Sequence, residues 1–423
     1  MRDVVQQIVR RNRVDSNSSY RMLGVRWYSG GCFVRDTVTD SDIKAHHVYA
    51  VVPGDFIYNR LFAWKGSFAL VPSEFEGCFV SNEFPTFIVD KEKLAGAYLL
   101  LLFSQPYMWK RAAVLSTGTT SISRNRLNED DLLALRIALP PLQEQNAIVA
   151  VLEAVESSIQ KTGTVLDQLV RAKRATMRKL LTVGHPARRT KLMRLPEPWR
   201  IGRVAPNLKS MPENWRLVTL TEVARLESGH TPSRNHPEYW EGDIPWISLQ
   251  DTARLRQLVI SDTAETTGEL GIKNSSARLL PKDTVVFSRT ASVGLAARMG
   301  REMATSQDFA NWICGQHLDP RYLVQVFRHM DREWRRLQAG STHQTVYMPV
   351  FKKLKILLPP RDEQEAIADI GDAFDERILA ERKYLDQLRE SKRGLAQVLL
   401  SGRVRVRARK QKTPSGARNA GGP

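Results

Sequence analysis

The sequence predicts an α+β fold of mixed α/β character: two globular heads combined with two long helices that pair as a coiled coil. Three observations lead there. At 423 residues the chain is longer than one ordinary core organises. A segment of its first half returns in its second half at a constant offset of 219 positions. Both copies of that segment carry the apolar periodicity of a helix packed against another helix.

The repeat is legible residue by residue. Leu139-Pro140-Pro141-Leu142-Gln143-Glu144-Gln145 returns as Leu358-Pro359-Pro360-Arg361-Asp362-Glu363-Gln364. The same offset carries Leu166-Asp167-Gln168-Leu169 onto Leu385-Asp386-Gln387-Leu388, and Lys173-Arg174 onto Lys392-Arg393. Aligned without gaps, residues 139–182 and 358–401 share 17 identities in 44 positions, far above chance.

Each copy opens on Pro-Pro, which suits a first helical turn where a missing N–H costs nothing. Apolar residues then recur in steps of three and four. In the first copy they are Ile148, Leu152, Val155, Ile159, Leu166 and Leu169; in the second, Ile367, Phe374, Ile378, Leu385, Leu388, Leu395 and Leu399. Thr162, Lys173, Gly371 and Glu381 fit such a seam poorly. Gly184 and Gly402 stand where helices commonly end. The expected division is a first head at 1–138, a first helix at 139–183, a basic linker at 184–210, a second head at 211–357, a second helix at 358–402 and a tail at 403–423. The linker holds seven Lys or Arg, one Glu and several prolines, and is read as extended. The tail holds seven Lys or Arg and no acid, and is read as disordered.

Composition narrows the partners. The 63 Lys and Arg against 45 Asp and Glu leave a formal charge of +18, which favours a polyanion, nucleic acid before membrane. The longest apolar run, residues 95–103, is far short of the ~20 residues a spanning helix needs. Cys32, Cys78 and Cys314 are scattered, without metal-ligand spacing, and read as buried thiols of a cytoplasmic protein. No metal site is expected.

Specific motifs now resemble a known family. Gly229-His230-Thr231-Pro232-Ser233-Arg234, Tyr239-Trp240-Glu241-Gly242-Asp243-Ile244-Pro245-Trp246 and Gly340-Ser341-Thr342-His343, followed by Leu358–Gln364, resemble the specificity subunit of type I restriction–modification systems. The first half is similar to the same family through residues 54–65, residues 81–87 and Arg124-Asn125-Arg126. The resemblance implies two target recognition domains separated by two antiparallel coiled-coil helices. It implies double-stranded DNA as ligand, read as a split, asymmetric target. It also implies two modification subunits that methylate adenine with S-adenosylmethionine, and restriction subunits that can join with ATP and Mg2+. This chain itself would be non-catalytic and hold no cofactor. The second half begins with Met211-Pro212-Glu213-Asn214-Trp215-Arg216-Leu217, the usual family opening, and the first half has no counterpart. Two expectations stay open: a first recognition domain incomplete at its N-terminal edge, or a misplaced start codon.

Side chains that suit base edges and phosphates are Arg and Lys near glycine or hydroxyl residues. In the first half the candidates are Arg60, Lys65, Thr119, Arg124, Asn125 and Arg126; for Arg60 and Arg126 the competing reading is a structural salt bridge. In the second half they are Thr231, Ser233, Arg234, Arg289, Ser341, Thr342, His343 and Gln344. Tyr239, Trp240 and Trp246 could stack on a base, but aromatics in such a stretch more often fill a core. His230 and His343 lack any triad context. The repeated Glu144-Gln145 and Glu363-Gln364 suit a positive helix start or a docking point for a partner subunit.

Two other classes compete: a methyltransferase or nuclease with its own reader, and a coiled-coil adaptor for RNA or DNA. No Asn/Asp-Pro-Pro-Tyr/Phe site, phosphate-binding glycine loop or acidic metal cluster supports an enzyme. The two-headed repeat favours duplex DNA over the adaptor, because half-sites about a helical turn apart demand a spacer.

Overall fold

The computed structural model describes residues 1–117, 125–338 and 345–406. The chain forms two compact units: Met1–Gln160 with Asp386–Pro423 (unit 1), and Lys161–Leu385 (unit 2). The two long helices run Leu142–Val183 and Arg361–Leu400, 42 and 40 residues. At ~1.5 Å per residue each is about 60 Å long. Gly184 and Gly402, just past their ends, take positive φ of 88° and 71°, the left-handed conformation that ends a helix and that glycine adopts without strain.

The helices pair antiparallel in both units. In unit 1 Lys392 meets Glu156 at 2.8 Å. In unit 2 Lys173 meets Asp375 at 2.5 Å, and Glu363 accepts the His185 backbone N–H at 2.8 Å. Lys173, Gly371 and Glu381, which looked wrong for a seam, are each met by a neighbour. Asp375 also accepts from Arg328 at 2.8 Å and Gln325 at 3.0 Å, so the mostly buried Lys173 sits in a compensated site. Burial pushes the Asp375 carboxyl up, but Lys173 and Arg328 outweigh it and hold the group below its ordinary value. Gly371 lies under Gln325, where a Cβ would come within 2.5 Å of the amide carbon. Glu381 is taken by Arg377, one turn away.

Among the described residues unit 1 carries two sheets. The first has the antiparallel order Val5–Ile8, Thr86–Val89, Phe56–Tyr58, Phe68–Leu70. The second has the order Arg11–Arg13, His47–Ala50, Phe79–Val80, Ser19–Val25, Cys32–Thr39. Phe56, Tyr58, Phe68 and Phe87 form one core with Leu99, Leu102 and Phe103 of the helix Gly96–Phe103 and with Ile148, Leu152, Leu399 and Leu400 of the long helices. The head and the helix pair thus share apolar surface.

Unit 2 has a five-stranded sheet ordered Ala224–Ser228, Phe309–Cys314, Val285–Ser288, Ala296–Met299, Val259–Ile260. A three-stranded sheet adds Glu265–Thr267, Ile244–Ile247 and Ala304–Thr305, and Arg216–Thr219 pairs with Lys355–Leu358. The aromatics Phe287, Trp312, Phe327, Trp334 and Phe351 cluster at the centre, with Phe287 and Trp334 centroids 4.5 Å apart.

Two expectations are corrected. Residues 184–210 are not simply extended: Leu192–Arg194 pairs with Ser210–Pro212, and Trp199 and Val204 are buried in the unit 2 core. Proline and arginine dominate the composition and hide these few apolar anchors. The tail is ordered at its start, where Arg405 forms two hydrogen bonds to Glu144, at 2.7 and 2.6 Å. Its remainder lies outside the described residues. The three cysteines are free thiols, and burial pushes those of Cys32 and Cys314 up to about 12. Among the described residues no helix is long and apolar enough to cross a membrane.

Candidate nucleic-acid interface

In each unit a buried central strand ends on an arginine. In unit 1 the strand Phe56–Tyr58 leads to Asn59, whose side chain accepts from the Leu61 N–H at 2.9 Å and starts a short turn at Arg60. The Arg60 N–H donates to Glu83 O at 3.0 Å, and the Leu127 N–H donates to Arg60 O at 3.1 Å. In unit 2 the strand Val285–Ser288 leads to Arg289. Its N–H donates to Asp308 O at 3.0 Å, and the Val346 N–H donates to Arg289 O at 2.9 Å. Leu127 and Val346 are again 219 apart, so the two arginines occupy matching places.

Their side chains have different fates. The Arg60 guanidinium donates to Asn82 O at 2.7 Å and pairs with Glu129. Its charge is paired inside the fold, the salt bridge that the competing reading of Arg60 expects. The position 219 beyond Glu129 is Met348, and among the described residues no carboxylate pairs with Arg289. Arg289 donates to the carbonyls of Gln307, at 2.9 Å, and Val346, at 3.5 Å. Among the described residues its positive charge is therefore not paired. Gln307 also accepts from the Thr231 hydroxyl at 2.6 Å, tying the loop that starts at Gly229 to the same spot. Gly229 is needed there, because a Cβ would sit 2.0 Å from Ser306 O. Nothing in the sequence singled out Gln307.

The other candidates divide. Arg126 pairs with Glu83 but stays exposed, and Asn125 is half-buried. The Lys65 ammonium lies 3.6 Å from the Trp27 ring centroid, a cation held without loss of charge. Arg234 is spent on both oxygens of Glu265, each at 2.9 Å, and stacks 3.6 Å over Trp240. Ser233 accepts from the Asn235 N–H within its own turn. Trp246 is buried and Trp240 meets it edge-on, so this pair is packing. Thr119, Arg124, Ser341, Thr342, His343 and Gln344 lie outside the described residues.

The repeated Glu-Gln pairs are not exposed docking points. All four side chains are buried and bonded to the chain itself. Gln145 accepts from the Ala95 N–H at 2.9 Å and donates to Lys93 O and Pro140 O, both at 2.8 Å. Gln364 repeats this: it accepts from the Asp319 N–H at 2.8 Å and donates to His317 O and Pro359 O, both at 2.9 Å. Each glutamine thus fixes a short helix of its head to the start of a long one. Glu144 takes Arg405, while Glu363 takes the His185 N–H and, at 2.9 Å, the Trp215 indole.

Unit 2 also holds a basic recess of about 480 Å³, walled by Arg171, Arg174, Arg178, Arg203, Arg332 and Arg336. His329 lies in it, and burial lowers its pKa to about 4, with Asp331 opposing and Arg174, Lys173 and Arg178 reinforcing. Above pH 6.5 the group is neutral in folded and unfolded chain alike. Below it the unfolded chain takes up the proton first, so stability falls until pH 4. Thermal unfolding at stepped pH should show a loss on the order of 2 kcal/mol over this window, absent from His329→Phe.

Comparison with known proteins places this geometry. The sequence model described as type I restriction modification DNA specificity domain matches residues 3–171 and again residues 212–390. The chain belongs to that family. Each specificity domain takes in one head and most of the long helix that follows it. Over 179 residues the chain is 29% identical to the type I restriction enzyme MjaIX specificity subunit of Methanocaldococcus jannaschii, covering 42% of this chain and only 41% of that protein. The MjaX specificity subunit of the same organism is 24% identical over 377 residues, 86% of this chain and 82% of the relative. The type I restriction–modification S subunit from M. genitalium shares the fold, with a TM-score of 0.54 at 13% identity over 94% of each chain. Among the described residues no group of His, Cys, Asp or Glu could hold a metal ion.

Proposed function

We propose that this chain is the DNA-reading, non-catalytic subunit of a type I restriction–modification complex, with one target recognition domain per half. The doubled match to a DNA specificity domain carries the reading. Each half then reads its own part of a split, asymmetric duplex target, and the helix pair acts as the spacer. Methylation of adenine with S-adenosylmethionine is the work of two modification subunits; cleavage, where it occurs, belongs to restriction subunits using ATP and Mg2+. The supporting chemistry in this chain is a basic surface whose cations are only partly neutralised. In the second half Arg289 and Thr231 are the contacts favoured by the structure, with Ser341, Thr342, His343 and Gln344 as further contacts from the sequence. In the first half Lys65, Asn125 and Arg126 remain, with Thr119 and Arg124.

Methylation mapping of cells with and without the chain tests the whole reading. Adenine methylation at a split motif should vanish when the chain is removed; methylation by the purified chain alone would overturn it. Arg289→Ala tests the site. It should weaken binding to one half-site by roughly 10- to 100-fold, the worth of a lost arginine–base contact, and spare the other. Selection from random DNA pools reads this directly, and equal loss at both half-sites would count against modular reading.

A further inference from the structure

The basic recess of unit 2 holds more positive charge than the fold neutralises. Six guanidiniums wall it, and the carboxylates among them are those of Asp331 and Glu333. Asp331 is taken by Arg335 and, at 3.6 Å, by Arg174; Glu333 is taken by Arg336 at 2.7 Å. Among the described residues Arg171, Arg178 and Arg332 pair with no carboxylate, and all three are exposed. The Arg203 Nε is buried without a hydrogen-bond acceptor among the described residues, a Glu333 oxygen standing 3.7 Å away.

The helix pair does not require this charge. Arg171, Arg174 and Arg178 stand three and four residues apart on the helix Leu142–Val183, so they share one face. The repeat puts Glu390, Arg393 and Gln397 at the matching positions of Arg361–Leu400, a set with no net charge. Packing common to both helices therefore does not account for three arginines on one of them. Another wall of the recess is the helix Asp331–Gln338, where Arg332 and Arg336 lie one turn apart. That helix is tied to the reading strand. Its Trp334 ring centroid lies 4.5 Å from that of Phe287, in the strand that leads to Arg289, and Ser341 follows three positions beyond its end in sequence.

Like charges three and four residues apart on a helix repel, and a polyanion laid across them relieves the repulsion. The guanidinium fork matches phosphate geometry. From Arg171 to Arg178 the helix rises about 10 Å, and one DNA strand advances ~3.4 Å per phosphate, so the stripe matches about three nucleotides. We propose that the arginine recess of unit 2 grips the sugar–phosphate backbone of the duplex beside the second half-site, on DNA whose bases are not read. Base contacts at Arg289 choose the sequence, and the recess fixes where the duplex lies against the helix pair. An acidic protein segment would meet the same charge, but the tie between Asp331–Gln338 and the Arg289 strand favours the duplex. The proposal rests on the DNA-reading role.

The test compares the full chain with a variant carrying Arg171→Gln, Arg174→Gln and Arg178→Gln, changes at exposed positions to a good helix former. Fluorescence anisotropy follows binding to a duplex with the selected target and to a scrambled duplex of equal length, across KCl concentrations. Both affinities should fall by roughly 10- to 100-fold at low salt, and the slope of log K against log salt should lessen by about two to three, as for three lost phosphate contacts. The selected sequence should not change. Arg332→Gln, on the other helix, should lessen the slope by about one. Neutral methylphosphonate linkages beside the second half-site should weaken the wild type and leave the triple variant unaffected. Equal slopes for wild type and triple variant overturn the proposal, as does a variant that holds DNA normally and loses an acidic partner polypeptide. A wild type that binds both duplexes alike sinks the reading role instead, while the slope difference still reports the phosphate grip; binding to neither duplex sinks both.

Discussion

Gln364→Leu should destabilise unit 2 by about 3–5 kcal/mol, although leucine nearly matches glutamine in volume. The side chain is buried and makes three hydrogen bonds, to the Asp319 N–H and to the carbonyls of His317 and Pro359. Leucine leaves all three backbone groups without a partner, at about 1–3 kcal/mol each before relaxation. Asp319 also caps the helix Pro320–His329, accepting from the Arg321 N–H at 2.7 Å, so the loss should spread into that helix. Gln145→Leu should act likewise in unit 1, through Ala95, Lys93 and Pro140. Urea unfolding with hydrogen exchange read separately for each unit checks both. A cost below 1 kcal/mol in either variant would show that the glutamine is not the clamp described.

The second large effect concerns spacing. Removing residues 161–167 together with residues 381–387 takes two turns from each long helix. The pairs Glu156–Lys392 and Lys173–Asp375 share one antiparallel register, and these two deletions face each other within it, so the flanking partners stay matched. Seven residues at ~1.5 Å are about 11 Å, the length of about three base pairs. The gap between the two parts of the recognised target should shorten by three base pairs, with both half-site sequences unchanged. Sequencing of selected DNA reads this outcome. An unchanged gap would refute the spacer role.

The helix pair was the most legible part of the sequence because its signal is written twice. An offset that joins Pro-Pro, Glu-Gln and Leu-Asp-Gln-Leu needs no knowledge of the heads. The meaning of Glu-Gln was not legible, because a buried clamp and an exposed docking point call for the same residues at a helix start. Only the carbonyls of His317 and Pro359, distant or unremarkable in sequence, separate the two. Lys173 looked like a flaw for a related reason: its partner Asp375 stands 202 positions away, where no local pattern reaches. The candidate site was legible as a composition and not as an arrangement. Arg60 and Arg289 carry the same motif position, and a single difference two residues past the flanking leucine or valine, Glu129 against Met348, decides which keeps its charge.

The free cysteines have a practical consequence. Cys32 and Cys78 belong to unit 1 and Cys314 to unit 2. Cys32 and Cys78 are buried, and burial raises the Cys32 thiol to about 12, so alkylating reagents must wait for the surrounding structure to open. Unit 1 therefore carries a native chemical clock, and brief labelling followed by peptide mass analysis times its opening, while the partly exposed Cys314 reports on the surface of unit 2.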